Sequence, residues 1–377
     1  MNVARALSSV QKNKTSIIMN SCLSYFDMPD VVQLVSSAFE DQGDTHSLRI
    51  FKTFLGNKTG DTATPFDTML RNDACLAARN GRLSVVKWLY PHMENEPVST
   101  FENMCSNAAI GGHLHVLQWL RANGCAWVDH MMCSYAAEGG HVHIVEWLRE
   151  NGCPWGDLTC YSAASNGHLQ CLKWVRQNGC QFGRPIVCRN LFEQTAMNGH
   201  LDCLEWAKEN GCTWESQNWV VCAFAAGKGH LECLQWAHRN GCRLPDNLLS
   251  CYATKSGNLE CIKWALEKGS SWNDVACDTL AQYGHTECLE WALENGCPRS
   301  SSACESAARN GHLECLKRAR VYGCYWDEDT CYWAAANGHL ECLKWARQNG
   351  CPWDKRVCGA YASRRCFEWA RQNGCPE

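Results

Sequence analysis

The chain has 377 residues, 46% of them hydrophobic and 20% charged, which is the balance of a folded protein rather than of a disordered one. A net charge of −4 argues against the basic surface expected of a protein that binds nucleic acid or an anionic membrane. No apolar run is long enough to span a bilayer, and residues 1–26 lack the apolar core of a signal peptide. We therefore expect the 29 cysteines to be reduced and the protein to lie in the cytoplasm or the nucleus.

Residues 1–26 come first along the chain, and we expect them to form a flexible N-terminus. The segment places Arg5, Lys12 and Lys14 among serines and contains no acidic residue. An organelle transit peptide has a similar composition and is the alternative.

Residues 27–70 follow, and two interpretations stay open for them. Leu48, Phe51 and Leu55 are spaced like the second helix of a repeat, which favours a degenerate helical cap. The run from Met28 to Val35 instead resembles the opening of the F-box family. That resemblance implies an adaptor that brings target proteins to a ubiquitin ligase.

Residues 71–377 form an array of internal repeats, spaced 27 to 32 residues apart. The first marker is a glycine, usually followed by histidine, at Gly81, Gly112, Gly140, Gly167, Gly199, Gly229, Gly257, Gly284, Gly311 and Gly338. A tryptophan seven residues later is the second marker, interrupted at Arg318, and Asn-Gly-Cys or a close variant is the third. Tandem repeats of this length are typical of a solenoid, in which neighbouring units bury each other's apolar faces.

The sequence of each unit predicts two short helices. Cys160 to Asn166 is a small-residue segment of about two turns, broken by Gly167. Leu169 to Gln177 places apolar residues at helical spacing on one face. Asn178-Gly179 then ends the helix, because glycine readily takes the left-handed conformation that follows a C-cap. Neither helix is long enough to be stable alone, so stacking must stabilise both.

The run from Ala334 to Trp345 reads Ala-Ala-Ala-Asn-Gly-His-Leu-Glu-Cys-Leu-Lys-Trp, and the run from Ala163 to Trp174 is nearly the same. Followed by Asn-Gly-Cys, this pattern resembles the ankyrin repeat. The resemblance extends from about residue 72 to the C-terminus. It implies an all-α, ankyrin-like helical solenoid of about ten short repeats with degenerate terminal caps.

Two departures from the ankyrin pattern predict reduced or absent β-hairpin fingers. The ankyrin unit has 33 residues, and the residues missing here lie between the Asn-Gly-Cys turn and the next helix, where the family places its finger. The family's Thr-Pro-Leu-His opening is replaced by Thr159-Cys160-Tyr161 in one unit. The loops after Cys180 and Cys212 are longer, and we expect each to keep a finger or an extra helical turn. The last unit, Cys358 to Cys375, has lost its Gly-His-Leu turn, as a terminal cap would.

The recurrent cysteines and histidines resemble parts of metal sites. No Cys-x-x-Cys occurs, so we interpret the cysteines as small buried hydrophobes, with a metal or redox role for cysteine columns as the alternative. The His-x-Glu runs lack the second half of the zinc deaminase signature, and we interpret them as helix starts. We expect Glu341 to pair with Lys344. Phosphate-loop, nucleophile-elbow and His-Glu-x-x-His motifs are also missing from the sequence. We therefore expect that the protein is not an enzyme and that it binds no metal and no cofactor.

Tryptophan occurs in two groups. The second-helix tryptophans, such as Trp174 and Trp264, are predicted to form a core column, so replacing one with alanine should destabilise the fold by about 3–5 kcal/mol. The other group follows the Gly-Cys turn and is predicted to fill the gap left by the missing finger. Its members are Trp127, Trp155, Trp214, Trp272, Trp326 and Trp353. Partial exposure would instead make them interface candidates.

Two positions on the first helices vary from unit to unit while their neighbours stay constant, so packing does not dictate them. One precedes the Ala-Ala pair and the other lies two residues before the marker glycine. The candidate partner-binding residues at these positions are Tyr135, Glu138, Ser162, Gln194, Phe224, Tyr252, Lys255, Gln282, Arg309 and Trp333. Large aromatic residues at a variable position are typical of binding hot spots, although packing against the neighbouring unit's loop explains them equally well.

The resemblance to ankyrin repeats implies a non-enzymatic scaffold that binds a protein partner through its concave face, formed by the first helices. We expect a monomer that binds no nucleic acid, membrane or small-molecule substrate. The ubiquitin ligase adaptor and the cysteine-based metal or redox protein are the alternative functions.

Overall fold

The structure, a computed structural model, describes residues 63–376 except for 94–96, 126–130, 214–218, 245–247, 301 and 360. Regular secondary structure in these described ranges is helical, without a strand. The predicted all-α repeat fold with reduced or absent fingers is therefore confirmed. The chain divides into two compact units, residues 1–187 and 188–377. None of the described helices is both long enough and apolar enough to cross a membrane.

The first unit holds four helix pairs. Their bounds are α1 Ala63–Arg79, α2 Leu83–Leu89, α3 Val98–Gly111, α4 Leu114–Ala122, α5 Met131–Glu138, α6 Val142–Glu150, α7 Asp157–Ser165 and α8 Leu169–Gln177. A short 3-10 helix, Tyr90–Met93, follows α2. The odd-numbered helices are the first helices of the pairs, and α1, α3, α5 and α7 pack side by side in that order. Each even-numbered second helix packs against the first helix that precedes it.

The second unit holds most of α9 and all of α10 to α21. Their bounds are α9 Pro185–Met197, α10 Leu201–Glu209, α11 Val220–Lys228, α12 Leu231–Arg239, α13 Leu248–Ser256, α14 Leu259–Glu267, α15 Ala276–Tyr283, α16 Thr286–Glu294, α17 Ala303–Arg309, α18 Leu313–Val321, α19 Glu328–Ala336, α20 Leu340–Gln348 and α21 Arg364–Gln372. The first helices α11, α13, α15, α17 and α19 pack successively side by side. A 3-10 helix, Lys355–Cys358, stands in the position of a first helix before α21 and packs against α19.

The core consists of small side chains on the first helices and leucines on the second. In α19, Cys331, Ala334 and Ala335 are buried, and in α20, Leu343 and Ala346 are buried. Small residues let adjacent helices approach closely, while burying each leucine side chain stabilises the fold by about 1.5–3 kcal/mol. This explains why the Ala-Ala pair and the leucine recur in unit after unit.

The prediction that the second-helix tryptophans form a core column is wrong. Trp174 is half-buried, whereas Leu172 and Val175 expose no surface. Among the second-helix tryptophans whose side chains are described, Trp236 alone is buried. A residue two positions along a helix is rotated by about 200°. Trp174 therefore lies away from the face of α8 that Leu172 presents to the core.

The Asn-Gly-Cys marker is a helix-ending turn, as predicted. In α8, the Asn178 side-chain amide donates to the Trp174 carbonyl at 2.9 Å, and the Cys180 backbone amide donates to the Val175 carbonyl at 3.0 Å. Gly179 between them has φ +93°, a conformation that residues with a Cβ rarely adopt. Together these bonds satisfy carbonyls at the helix end and turn the chain towards the next unit.

In four units the histidine that follows the marker glycine links two neighbouring helix pairs. His312 Nε2 donates to the Gln282 carbonyl at 3.1 Å, and its ring lies so close to Gly284 that a Cβ there would approach it to 2.8 Å. Equivalent bonds join His141 to Ile110, His168 to Glu138 and His285 to Lys255, at 3.0, 2.9 and 3.0 Å. A carbonyl can only accept, so Nε2 carries the proton in each case. These bonds are called the histidine links.

The remaining expectations concern loops and ends. The loop after Cys180 does lead into an extra helical turn, because α9 has 13 residues; most of the loop after Cys212 lies outside the described residues. The flexible N-terminus and most of the cap or F-box-like segment also lie outside them. Helix α1 begins at Ala63, within the segment 27–70, and continues to Arg79. The expected pair of Glu341 and Lys344 is confirmed at 3.0 Å.

Candidate partner-binding surface

The ten candidate residues lie on first helices in two rows. Row one holds Tyr135, Ser162, Gln194, Phe224, Tyr252 and Trp333, and row two holds Glu138, Lys255, Gln282 and Arg309. The two positions are three residues apart on the same helix, so they share one helix face. Every row-one candidate is half-buried, and Lys255, Gln282 and Arg309 are exposed.

In the first unit the structure places three candidates on adjacent first helices. Tyr135 and Glu138 lie on α5 and Ser162 lies on α7, which packs against α5. All three are half-buried. The Glu138 carbonyl accepts the histidine link from His168 at 2.9 Å, so the end of α5 is tied to the next helix pair. This surface is therefore held by the fold rather than presented on a mobile loop.

In the second unit the best-defined contact of the surface joins α17 to α19. The Arg309 guanidinium carbon lies 3.6 Å from the centroid of the Trp333 ring. Arg309 Nη2 also donates to Glu305 Oε1 at 2.7 Å, which holds the guanidinium over the ring. A cation over the face of a tryptophan is attracted by the ring quadrupole. Trp333 also meets the ring of Tyr332 edge-on, with centroids 4.9 Å apart.

A second aromatic contact joins α11 to α13. A Cβ at Gly227 would come within 3.2 Å of Tyr252 Cδ1, so the Tyr252 ring packs closely against the Gly227 position. Lys255 Nζ lies 5.6 Å from the centroid of the same ring. Gly227 and Arg309 both occupy row two. In both contacts, therefore, a row-one aromatic packs against the row-two residue of the preceding helix pair.

The sequence analysis left two roles open for the aromatic residues of row one, binding a partner or packing against the neighbouring unit, and these contacts bear on both. The rings pack against the neighbouring helix pair, but against its first helix rather than its loop, and they keep part of their surface exposed. Gln194 and Phe224 are also half-buried, and no specific contact of theirs adds to the surface. Whether the rows bind a partner stays a prediction.

Acidic residues next to row one were missed by the sequence analysis. Asp278 and Glu305 each precede row one by one residue, on α15 and α17, and Tyr332 takes the same position on α19. Their spacing of 27 residues was the available signal. Burial raises the pKa of Glu305, Arg309 opposes that shift, and Asp329 reinforces it. The surface thus alternates carboxylates with the guanidinium of Arg309.

The burial of the Asp278 carboxyl predicts that the folding stability of the protein depends on pH. Burial raises the pKa of this carboxyl although Ser300 donates a hydrogen bond, and its Oδ1 is buried without a hydrogen-bond partner in the described part of the chain. A raised folded-state pKa means that the charged form costs stability above that pKa, and that the cost disappears once the pH falls below the unfolded value of about 3.9. We expect Asp278→Asn to raise the melting temperature at pH 7, with an advantage that shrinks towards pH 4.5.

The control for this prediction is Asp274→Asn, which changes an exposed carboxylate nearby. Thermal melts followed by circular dichroism at several pH values give the comparison. An Asp278→Asn advantage that grows as the pH falls would contradict the assignment.

The loop tryptophans form a second set of contacts, away from the two rows. Trp155 meets Trp174 edge-on, with centroids 6.3 Å apart, and the guanidinium carbon of Arg149, on the preceding second helix, lies 4.4 Å from the centroid of the Trp155 ring. The same ring pairs recur between Trp272 and Trp291, Trp326 and Trp345, and Trp353 and Trp369. Trp127 and Trp214 lie outside the described residues. The loop tryptophans thus connect successive second helices, as expected of side chains that replace a finger.

A shallow groove lies beside the starts of α14 and α16, lined by Asn258, Glu260, His285 and Glu287 among others. His285 donates a histidine link, and Glu260 pairs with Lys263 at 2.8 Å. Within the described ranges, no three histidine, cysteine or acidic side chains are arranged to hold a metal ion. The groove residues are therefore accounted for by folding contacts.

Comparison with known proteins agrees with the helix-pair architecture. Residues 133–176, which cover almost all of α5 to α8, match the family model for ankyrin repeats in many copies. Among solved structures, the chain is similar to the ankyrin repeat domain of human ASB11, at 20% identity with a TM-score of 0.38, covering 44% of this chain and 83% of that one. No curated protein matches the chain in sequence.

Proposed function

We propose that this chain, whose residues 133–176 match the family model for ankyrin repeats, binds a protein partner through the face of its first helices, the concave face of such arrays, and catalyses no reaction. The contact of Trp333 with Arg309 carries the proposal. Tryptophan, tyrosine and arginine dominate binding hot spots, and here they stand half-exposed at positions that differ between otherwise constant units.

The fixed spacing of the first helices that carry the two rows supports the same proposal. Row-two carbonyls of Glu138, Lys255 and Gln282 accept histidine links from the next helix pair, which fixes the spacing between neighbouring first helices. A surface that is already ordered loses less conformational entropy when it binds. Ankyrin repeats commonly serve as protein-interaction modules, and a regular ordered surface suits that use.

The proposed partner is a protein rather than a nucleic acid or a membrane, since the net charge is −4. We propose that the protein acts as a monomer, without a cofactor or a small-molecule substrate, in the cytoplasm or the nucleus. The exposed mixture of Lys255, Arg309 and acidic neighbours favours a partner with both charges at the rim of the interface.

Affinity capture from an extract of the native cell tests the proposal. The bait carries Tyr135→Ala, Phe224→Ala, Tyr252→Ala and Trp333→Ala together, and is compared with the unchanged chain. Truncating a hot-spot side chain costs about 2 kcal/mol or more, so four changes should abolish retention of a partner. Circular dichroism confirms that the variant is folded.

The matched control replaces four exposed second-helix residues, Gln170, Glu232, Glu314 and Glu341, with alanine. We expect it to retain the partner as the unchanged chain does. Retention by the four-aromatic variant would show that binding lies elsewhere. If deletion of residues 1–57 then released the partner, the adaptor alternative would replace this proposal.

A further inference from the structure

Two of the recurrent cysteines form a pair within almost every unit. One lies on the first helix, three residues before the Ala-Ala pair, and the other ends the Asn-Gly-Cys turn 20 residues later. The pairs are Cys105–Cys125, Cys133–Cys153, Cys160–Cys180, Cys222–Cys242, Cys277–Cys297, Cys304–Cys324 and Cys331–Cys351. Together they account for fourteen of the 29 cysteines.

In three of these pairs the sulfur atoms lie close together, whereas Cys304 Sγ donates to the Cys324 carbonyl at 3.8 Å. Sγ of Cys105 and Cys125 are 2.8 Å apart, those of Cys277 and Cys297 are 2.9 Å apart, and those of Cys160 and Cys180 are 3.5 Å apart.

Further pairs show the same geometry. Cys222 and Cys242 are joined by a disulfide, with Cα atoms 6.4 Å apart, inside the range that disulfides span. In two more pairs the partner thiol is the largest cause of a raised pKa, that of Cys133 next to Cys153 and that of Cys351 next to Cys331. A disulfide bond therefore needs only a small approach of the two sulfurs.

Helix and turn geometry hold each pair in register. The Cys297 amide donates to the Ala292 carbonyl at 2.9 Å, which fixes the turn at the end of α16. The other cysteine sits on α15, which packs against α16. All fourteen cysteines of the seven pairs are buried. The pairing is thus set by the backbone of one helix pair and does not depend on contact between pairs.

The pairing survives where the repeat changes. The last unit is three residues shorter, yet Cys358 still lies near Cys375, because burial first and then the Cys358 thiol raise the pKa of Cys375 to about 12. In the unit of α13 and α14, both positions change together, to Ser250 and Ser270. In the unit of α9, Phe192 replaces the first cysteine and Cys212 remains. A need for small buried side chains alone does not predict that the partners of eight units are both cysteine.

The second-helix cysteines provide a comparison within the same chain. Cys288 Sγ donates to the Gly257 carbonyl at 3.1 Å, and Cys315 Sγ lies 3.2 Å from Thr286 Oγ1. Burial is the main cause that raises the pKa of Cys261 and Cys342, to about 12 and about 11. These cysteines fit the interpretation as small hydrophobes.

In the pairs of Cys125 and Cys180, one thiol ionises more readily than an isolated buried cysteine, whereas burial raises the pKa of both Cys304 and Cys324. The pKa of Cys125 and of Cys180 is lowered, first because the partner thiol donates a hydrogen bond to the thiolate. A guanidinium on the second helix contributes, and Arg176 Nη1 also donates to the Cys180 carbonyl at 2.9 Å. The thiolate is the nucleophile of thiol–disulfide exchange.

We propose that the eight cysteine pairs are dithiol–disulfide couples that close within single repeats when the protein meets a small oxidised disulfide. The thiolate of one cysteine attacks a sulfur of the small disulfide, forming a mixed disulfide and releasing one small thiol. The second cysteine loses its proton and attacks the Sγ atom of the first cysteine, which breaks the mixed disulfide, closes the Cys–Cys bond and releases the second small thiol. Two electrons pass from the pair to the small disulfide, which is reduced to two thiols.

The last pair should oxidise first. Cys358 and Cys375 are half-buried. The fourteen cysteines of the other pairs are buried, so they react with a small disulfide only when the structure around them opens locally. Each closed disulfide joins a first helix to the turn after its second helix. Cross-linking across 20 residues restricts the unfolded chain, so oxidation should raise the melting temperature.

The test uses the full chain, purified reduced and equilibrated with mixtures of reduced and oxidised glutathione. Free thiols are alkylated in denaturant, and disulfide-linked peptides are identified by mass spectrometry. We expect links between cysteines 20 residues apart, and 17 apart in the last unit, while Cys261, Cys288 and Cys342 stay reduced. Added dithiothreitol should reverse both the links and the rise in melting temperature.

A variant pair makes the test specific. Cys277→Ala with Cys297→Ala should remove one link and part of the thermal gain, whereas Cys261→Ala should remove neither. The proposal would be overturned if the paired cysteines of the folded chain stayed as free thiols at a glutathione ratio that oxidises them in the denatured chain. Links between neighbouring units, such as Cys277 to Cys324, 47 residues apart, would overturn it equally.

Discussion

Gly257→Ala should destabilise the protein by about 3–6 kcal/mol. Gly257 has φ +68°, where a Cβ costs about 1–2 kcal/mol, and the added Cβ would lie 2.2 Å from His285 Nδ1. The ring cannot move away freely, because its Nε2 donates to the Lys255 carbonyl at 3.0 Å. Overpacking of about 1–3 kcal/mol and a lost hydrogen bond of about 1 kcal/mol therefore add to the strain.

Gly269→Ala is the matched control, at the turn that ends the same helix pair. Gly269 has φ +92°, and no atom lies within 4 Å of a Cβ built there. We expect it to cost about 1–2 kcal/mol, the backbone strain alone. Urea titrations of both variants give the comparison. Equal losses of stability would mean that the histidine link contributes nothing.

Leu172→Ala should cost more stability than Trp174→Ala, although tryptophan is the larger side chain. Leu172 exposes no surface, so its truncation leaves a cavity and costs about 2–5 kcal/mol. Trp174 is half-buried and loses mainly its edge contact with Trp155, so we expect about 1–2 kcal/mol. Denaturant midpoints of the two variants test this order. The reverse order would restore the tryptophan column as the core of the array.

The helix pairs could be predicted because local signals agree with the fold. Leu169 to Gln177 shows helical periodicity, ends at Asn-Gly, and is observed as α8 with those bounds. The function of the histidines could not be predicted in this way, because His168 donates to the carbonyl of Glu138, 30 residues earlier. Contacts between units depend on how the pairs stack, which periodicity within a unit does not report.

The tryptophan error and the missed cysteine pairs have the same origin. Trp174 recurs with the regularity of a core residue, but it recurs because it meets the loop tryptophan of its own unit. Cys160 and Cys180 were interpreted singly as small hydrophobes, although their spacing of 20 residues was visible. Which side chains meet depends on the packing of the two helices against each other. The candidate rows were predictable as positions, while the stacking of Arg309 on Trp333 was not.

Site-specific photocrosslinking tests the central claim, that the first-helix face binds a protein, most directly. A photoreactive phenylalanine analogue is placed at Tyr252 or Trp333 in row one, and at the exposed Glu260 or Glu341 on second helices as controls. The chain is expressed in its native cell and irradiated there. Our account predicts that one protein is crosslinked from both row-one positions and from neither control. Crosslinking from Glu260 or Glu341, with none from row one, would contradict it.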